Sequence, residues 1–561
     1  MRKNSVTYVK TSDMKRRVAI IGAGCSGLTA IKACLEEHLQ PVCFEREDDV
    51  GGLWNYNDEP KLGKGSVFKS TVINVSKEMM AFSDFPPPRH HATFGPHRQV
   101  LDYFKLYAEN FGLSEFIRFN TSVEKVEQAE DYEETGRWTL IYRNATTDDV
   151  KTEIFDGVMV CTGHHTFPHM PIFYGKRQFR GRIMHSHSYR DSTEYADKKV
   201  LVVGLGNSGV DIAVDLCKHA KQVYLSSRRG AWIISRKFLC GIPADAFANT
   251  RLLFSLPKSF LKWAFQFFAN LHFNHGLYGL KPQNRGLETH PTISDDLPVK
   301  MLSGQVILKP NVQHFTETGV ILDNNECIEV DDVIFATGYD FKFPFFDDQV
   351  ISVDKNKVYL YKYMFPPHLP YPTLAFIGLV QVIGAVMPVS EMQCRWFTRL
   401  LKGQNTLPFR EIMEEDIEQK RKRFSFIKTQ RHTIQSFYIE YMDEVAKEIG
   451  AKPNLFRMIF KDPVLAFHCF CSPCIPAQYR LVGPCKWDGA RECIKTAWQR
   501  SLSPLSETSF PWNRSDAKKS STDDKKWLTD DISTTAIVTV LFFIVIYMYF
   551  SPRTHLSKCY F

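Results

Sequence analysis

Three glycines and one carboxylate, Gly22, Gly24, Gly27 and Glu45, are spaced to bind a dinucleotide. The β-branched run Val18-Ala19-Ile20-Ile21 enters the turn Gly22-Ala23-Gly24-Cys25-Ser26-Gly27, and apolar Leu28, Ile31 and Leu35 then recur at helical spacing. Gly22 permits the tight turn, Gly24 lets backbone approach a pyrophosphate, and Gly27 lets helix and strand pack closely. Free N–H groups at the helix start hold phosphate. Glu45 ends the next strand, about twenty residues past the last glycine, where a carboxylate accepts from ribose hydroxyls. A second unit repeats the pattern. Val200-Leu201-Val202-Val203 leads into Gly204-Leu205-Gly206-Asn207-Ser208-Gly209, followed by Val210 and Asp211 on the helix. Its second strand ends in Ser226-Ser227-Arg228-Arg229 with no acid. An acid favours a free ribose hydroxyl and an arginine accommodates a 2′-phosphate, so the first unit reads as a site for FAD or NAD and the second for NADP.

Other residues could serve a flat cofactor. Gly51-Gly52-Leu53-Trp54 delivers a large aromatic soon after the first unit, either as turn and core or beside a cofactor ring. Asn74, within Ile73-Asn74-Val75-Ser76, either caps a helix starting near Ser76 or hydrogen-bonds a ligand. His164 and His165 lack metal-ligand spacing. His468-Cys469-Phe470-Cys471-Ser472-Pro473-Cys474 has no second ligand pair to complete a zinc site, and no metal is assigned. No nucleophile–base pair stands out, which suits chemistry carried by a cofactor.

These residues need a scaffold of alternating strands and helices. The 561 residues exceed one domain, and at 44% apolar and 24% charged they are ordinary globular material. The net charge of +8 is mild and spread out, which argues against nucleic acid as a partner. Fourteen cysteines at irregular spacing, without a secretory leader, read as reduced thiols. The fold class is α/β: two Rossmann-like dinucleotide-binding domains, the second inserted in the first, plus a C-terminal transmembrane helix. The expected divisions are a polar extension (1–16), the first domain (17–165), the second (166–331), the remainder of the first with a helical region (332–500), a polar linker (501–531), an anchor (532–550) and a tail (551–561). The strand Asp332-Val333-Ile334-Phe335, ending in Ala336-Thr337-Gly338, reads as the return of the chain to the first domain. Leu252 to Leu280, rich in Phe, Trp and Leu, either lies on a membrane, walls a channel or forms a buried helix pair. Ile532 to Phe550 is uncharged and apolar, near the ~30 Å needed to span a bilayer. Inserted after translation, it would leave the body in the cytosol.

Phe179-x-Gly181-x-x-x-His185-x-x-x-Tyr189, just ahead of the second glycine loop, resembles the signature of the flavin-containing monooxygenases. Phe44-Glu45-Arg46, Gly51 to Trp54, Ser76-Lys77-Glu78-Met79-Met80, both glycine loops and Phe335 to Tyr339 agree with that family. Tyr479-Arg480-Leu481-Val482-Gly483-Pro484 resembles its vertebrate microsomal members, which implies an endoplasmic reticulum membrane. The resemblance implies FAD held by Gly22 to Ser26, Glu45, Leu53 and Trp54. It places Ile73 and Asn74 at NADP, Asn74 and Val75 beside the flavin, Ser208 to Asp211 at the NADP pyrophosphate and Arg228 at its 2′-phosphate. His185 would shape the domain junction without a proton-transfer role. The implied activity is NADPH-dependent: flavin reduction, reaction with O₂ to a C4a-hydroperoxide, and oxygenation of small N- or S-nucleophiles assisted by Asn74. Baeyer–Villiger oxygenation, an uncoupled oxidase releasing hydrogen peroxide, and a silent membrane-anchored flavoprotein stay open, and an oligomer is compatible with the sequence.

Overall fold

Five short apolar segments align in parallel to form the first sheet, in the order Leu374–Phe376, Gly157–Val160, Arg17–Ile21, Gln40–Phe44 and Ile117–Arg118. Their central strands are buried on both faces, which is why they read as continuous runs and not as alternating patterns. The computed structural model, which describes residues 15–284, 286–423 and 433–507, builds the second sheet the same way. There the order is Val306–Lys309, Gln222–Ser226, Lys199–Val203, Asp332–Phe335 and Arg182–His185, again all parallel. Each sheet carries its glycine loop between its central strand and a helix, Cys25–Glu36 in the first and Asn207–Leu216 in the second.

The strand Asp332–Phe335 does not return the chain to the first domain. It pairs with Lys199–Val203, register Val203↔Phe335, and is the counterpart of Gly157–Val160 beside Arg17–Ile21. Both strands follow a three-stranded antiparallel meander, Thr121–Gln128 to Val150–Phe155 in the first domain and Val312–Phe315 to Cys327–Glu329 in the second. The shared Thr-Gly ending therefore marks equivalent places in two related units. The first sheet is completed only by Leu374–Phe376, so the whole second sheet lies within the first in chain order.

The C-terminal part braces the first domain. The helix Met387–Leu401 is buried almost throughout and packs on Cys25–Glu36, with Ser26 Oγ 3.0 Å from Ser390 Oγ. Arg480, 1% exposed, points into this seam. It meets Glu36 Oε1 at 3.0 Å, Asp84 Oδ2 at 3.1 Å and Glu391 Oε1 at 3.0 Å, and donates to Ser83 Oγ at 2.6 Å. Lys32 closes the cluster on Glu36 and Asp84, each at 2.6 Å. A buried guanidinium with three carboxylates is tolerable only because every partner is present.

The polar linker placed at 501–531 begins later than its composition suggests. Ala497–Glu507 is helical, and Ser501 and Ser503 are engaged: Thr93 Oγ1 donates to the carbonyl of the buried Ser501 at 2.6 Å, and Ser503 Oγ to the Arg89 carbonyl at 2.7 Å. Residues 508–531, the apolar run 532–550, the tail 551–561 and positions 1–14 lie outside the described residues. Among those described, no helix is long and apolar enough to cross a membrane.

Replacing Arg480 by alanine takes away the ion pair of Glu391 and leaves Glu36 and Asp84 to Lys32 alone, and equilibrium urea unfolding should show a loss of about 3–5 kcal/mol.

Candidate dinucleotide and substrate cavities

Two glycines of the first loop leave no room for a side chain. Gly22 adopts φ +102°, and a Cβ on Gly27 would stand 1.9 Å from the Gly22 carbonyl oxygen. The second repeats it, with Gly204 at φ +123° and a Cβ on Gly209 2.1 Å from the Gly204 oxygen. Each helix thus starts directly against its strand, and the first helical N–H groups, which have no partner within a helix, face outward as anion donors.

Glu45, 7% exposed, is fixed in this turn: Oε2 accepts from Ala23 N–H at 2.7 Å and Oε1 from Glu47 N–H at 3.0 Å. Burial pushes its carboxyl above the usual range, and these two backbone N–H groups oppose the shift. Two of its roughly four lone-pair positions stay free for hydroxyls.

A cavity of about 670 Å³ opens before both loops. From the first domain it is lined by Gly22, Gly24, Cys25, Ser26, Glu45, Leu53, Trp54, Ile73, Asn74 and Val75, and from the second by Gly206, Asn207, Ser208 and Asp211. The two dinucleotide units therefore share one space. Thr162, Gly163, His164 and His165 also line it, as do Thr337, Gly338 and Tyr339, so both Thr-Gly turns face it. A Cβ on Gly163 or Gly338 would meet nothing within 4 Å. Ala23, Gly27, Gly204, Gly209 and Val210 are not in this lining; they pack beneath the loops. Arg228 lies just past the strand Gln222–Ser226, exposed, outside the lining and without an ion pair among the described residues.

The donor set fits a flavin and a nicotinamide dinucleotide: two helix starts for pyrophosphates, a buried carboxylate at one strand end, and Trp54 with Tyr339 as flat walls. Among the described residues no group of three or more His, Cys, Asp or Glu side chains is placed to hold a metal.

Asn74 does not cap a helix. The short helix Lys77–Met80 starts after Ser76, and Asn74 Oδ1 accepts from Arg236 Nη2 at 2.6 Å. Arg236 is in turn paired with Asp295 at 3.2 Å. This arginine escaped the sequence, where it stands alone more than 160 residues away with no motif around it. Asp211, half-buried in the lining of the first cavity, has its carboxyl pushed up to about 7 by burial, with Arg236 opposing the shift.

A second cavity of about 1070 Å³ adjoins the first. Asn74, Val75, Asn207, His290 and Gly384 line both. Its remaining walls are mostly aromatic and aliphatic, with Phe260, Phe265, Phe267 and Phe268 supplied by the helix Lys258–His272. The helix Lys258–His272, within the stretch Leu252 to Leu280, thus lines this cavity.

An α/β enzyme with two nested dinucleotide-binding sheets facing one cavity is the class that this geometry defines. The family profile described as flavin-binding monooxygenase-like matches residues 15–547. Flavin-containing monooxygenase 5 of Rattus norvegicus is 48% identical over 500 residues, spanning 88% of this chain and 93% of that protein. Flavin-containing monooxygenase 2 of Homo sapiens is 43% identical over 501 residues, with the same 88% and 93%. Among solved structures, S-allyl-L-cysteine S-oxygenase from Allium sativum aligns with a TM-score of 0.61 at 25% identity, covering 87% of this chain and 99% of that one. The chain belongs to the flavin-binding monooxygenase family.

His185, 5% exposed, accepts the His187 N–H at Nδ1 over 3.1 Å, and burial lowers its pKa to about 4. A histidine held neutral in the fold contributes stability that is intact above its unfolded pKa, ~6.5, and is lost as pH falls through the folded value. Thermal melting should therefore weaken between about pH 6.5 and 4, and His185→Gln should flatten that part of the profile.

Proposed function

We propose that this enzyme is an NADPH-dependent flavin monooxygenase acting on small molecules with a soft nitrogen or sulfur centre. The observation that carries the reading is the meeting of two cavities at Asn74, one lined by both glycine loops and the other apolar. FAD would be held by Gly22 to Ser26, Glu45, Leu53 and Trp54, and NADPH by Ser208 to Asp211 with Arg228 reaching its 2′-phosphate. Bound there, FAD would supply the redox chemistry, accepting a hydride from NADPH and delivering one atom of O₂ to the substrate and the other to water.

The chain's own residues have four tasks. Helix N-termini bind the pyrophosphates. Glu45 fixes the ribose end, while Trp54 and Leu53 wall the ring. Asn74, its oxygen engaged by Arg236 and its side chain in the lining of both cavities, would offer its NH₂ group as the donor. The phenylalanines of Lys258–His272 admit an apolar substrate and exclude water, which would otherwise decompose a reactive oxygen species. Neither a general base nor a protein nucleophile is required. For location we propose attachment to the endoplasmic reticulum membrane through 532–550, with the body in the cytosol; the uncharged composition of that run supports it.

The test is stoichiometry. Purified protein should show flavin absorption bands, and with NADPH, O₂ and a tertiary amine or thioether should form about one oxygenated product per NADPH consumed. NADPH consumption yielding hydrogen peroxide alone would establish the oxidase reading instead. Asn74→Ala should cut product formed per NADPH by on the order of 10- to 100-fold while flavin content stays normal, as expected for removing one positioned donor. Arg228→Ser should raise the KM for NADPH by roughly tenfold and leave that for NADH little changed, the loss of a charge-assisted phosphate contact. Equal KM changes for both nucleotides would remove Arg228 from the phosphate site.

A further inference from the structure

Asp245 lies in the second domain, at the start of the short helix Ala244–Ala248 that walls the apolar cavity. Its carboxylate reaches out of its own domain. Oδ2 accepts both from the backbone N–H of Ser76 at 2.7 Å and from the Ser76 hydroxyl at 2.8 Å, across 169 residues of sequence. Ser76 is wholly buried and belongs to the first domain, two positions after Asn74. Oδ1 is buried with no hydrogen-bond partner among the described residues. A buried carboxylate with one unpartnered oxygen is costly, and an amide or hydroxyl could make the same two contacts without a charge. The burial also pushes this carboxyl up to about 6, leaving it ionised and purely an acceptor at neutral pH.

The other end of the same segment is gripped from the same stretch. Arg236 reaches the Ile73 carbonyl at 3.5 Å and Asn74 Oδ1 at 2.6 Å. Residues 73–76 are thus held at both ends by a stretch of the second domain, 235–245, that also lines the apolar cavity. Whatever shifts the cavity wall shifts the position of the Asn74 amide.

We infer that Asp245 is a positioning residue for oxygen transfer: by clamping Ser76 across the domain boundary it fixes Asn74 at the junction of the two cavities. The inference rests on the monooxygenase reading for its catalytic consequence, but the clamp itself is testable apart from it. Asp245→Ala removes both contacts. Hydrogen exchange of the full-length protein, followed at the Ser76 amide, should speed up by about tenfold or more. In the same variant, oxygenated product per NADPH should fall by roughly tenfold with hydrogen peroxide rising in its place, because a small displacement of a positioned donor is expensive. Asp245→Asn, whose carbonyl can accept from both Ser76 groups, should restore the coupling to within about twofold of the parent protein. A purely structural role would lower flavin content and melting temperature in both variants and leave the coupling ratio of the surviving enzyme unchanged. If Asp245→Ala does not accumulate folded, Ser76→Ala, which deletes the hydroxyl contact alone, should show an intermediate loss of coupling. The inference is overturned if Ser76 exchange is unchanged in Asp245→Ala, or if the alanine and asparagine variants lose coupling equally. If the parent protein forms no oxygenated product while Ser76 exchange still responds, the monooxygenase reading fails and the clamp stands.

Discussion

Two contacts with no room for a methyl group set the frame of this enzyme. Gly27 against the Gly22 carbonyl, and Gly209 against the Gly204 carbonyl, bring each helix down onto its strand. Any side chain there would lift the helix and rotate its first N–H groups away from the cavity. Everything downstream assumes this closeness: the buried Glu45 accepting from the turn, the single space before both loops, and the seam in which Arg480 braces the far end of the first helix.

The molecule separates its polar and apolar work. Charges removed from water are gathered in closed groups, such as Arg480 with Glu36, Asp84 and Glu391, which rigidifies the rear of the first domain. The front is left for recognition. One cavity is edged by backbone donors and carboxylates, the other by phenylalanines, and only a few residues belong to both. Asn74 is the amide among them held by an arginine from the other domain, so its orientation is a property of the domain interface and not of its own loop.

Sequence legibility followed the range of the interactions. The glycine units were legible because their constraint is local: turn, helix start and strand end fall within one short stretch. Asn74 stands out as a polar residue in an apolar run, but that it caps no helix depends on where the short helix after Ser76 begins and on an arginine from far along the chain. Arg236 and Asp245 carried no signal, since their partners lie in another domain and no spacing rule links them. The strand Asp332–Phe335 misled for an instructive reason. Its resemblance to Gly157–Val160 reflected an equivalent position in a second sheet, whereas the actual return strand, Leu374–Phe376, is too short and plain to stand out. The serines at 501–503 read as linker because their hydrogen bonds to 89–93 are distant in sequence.

The nested topology has a consequence for biosynthesis. Gly157–Val160 emerges from the ribosome with one edge bare, and its neighbour Leu374–Phe376 follows only after some two hundred further residues, enough for the inserted sheet to be complete. At about 5–20 residues per second, that edge stays unpaired for roughly ten to forty seconds. Unpaired strand edges invite adventitious pairing. The inserted sheet has all its strands before Leu374–Phe376 is made, and the outer sheet closes after it, so a chain interrupted in the second sheet leaves both sheets unfinished.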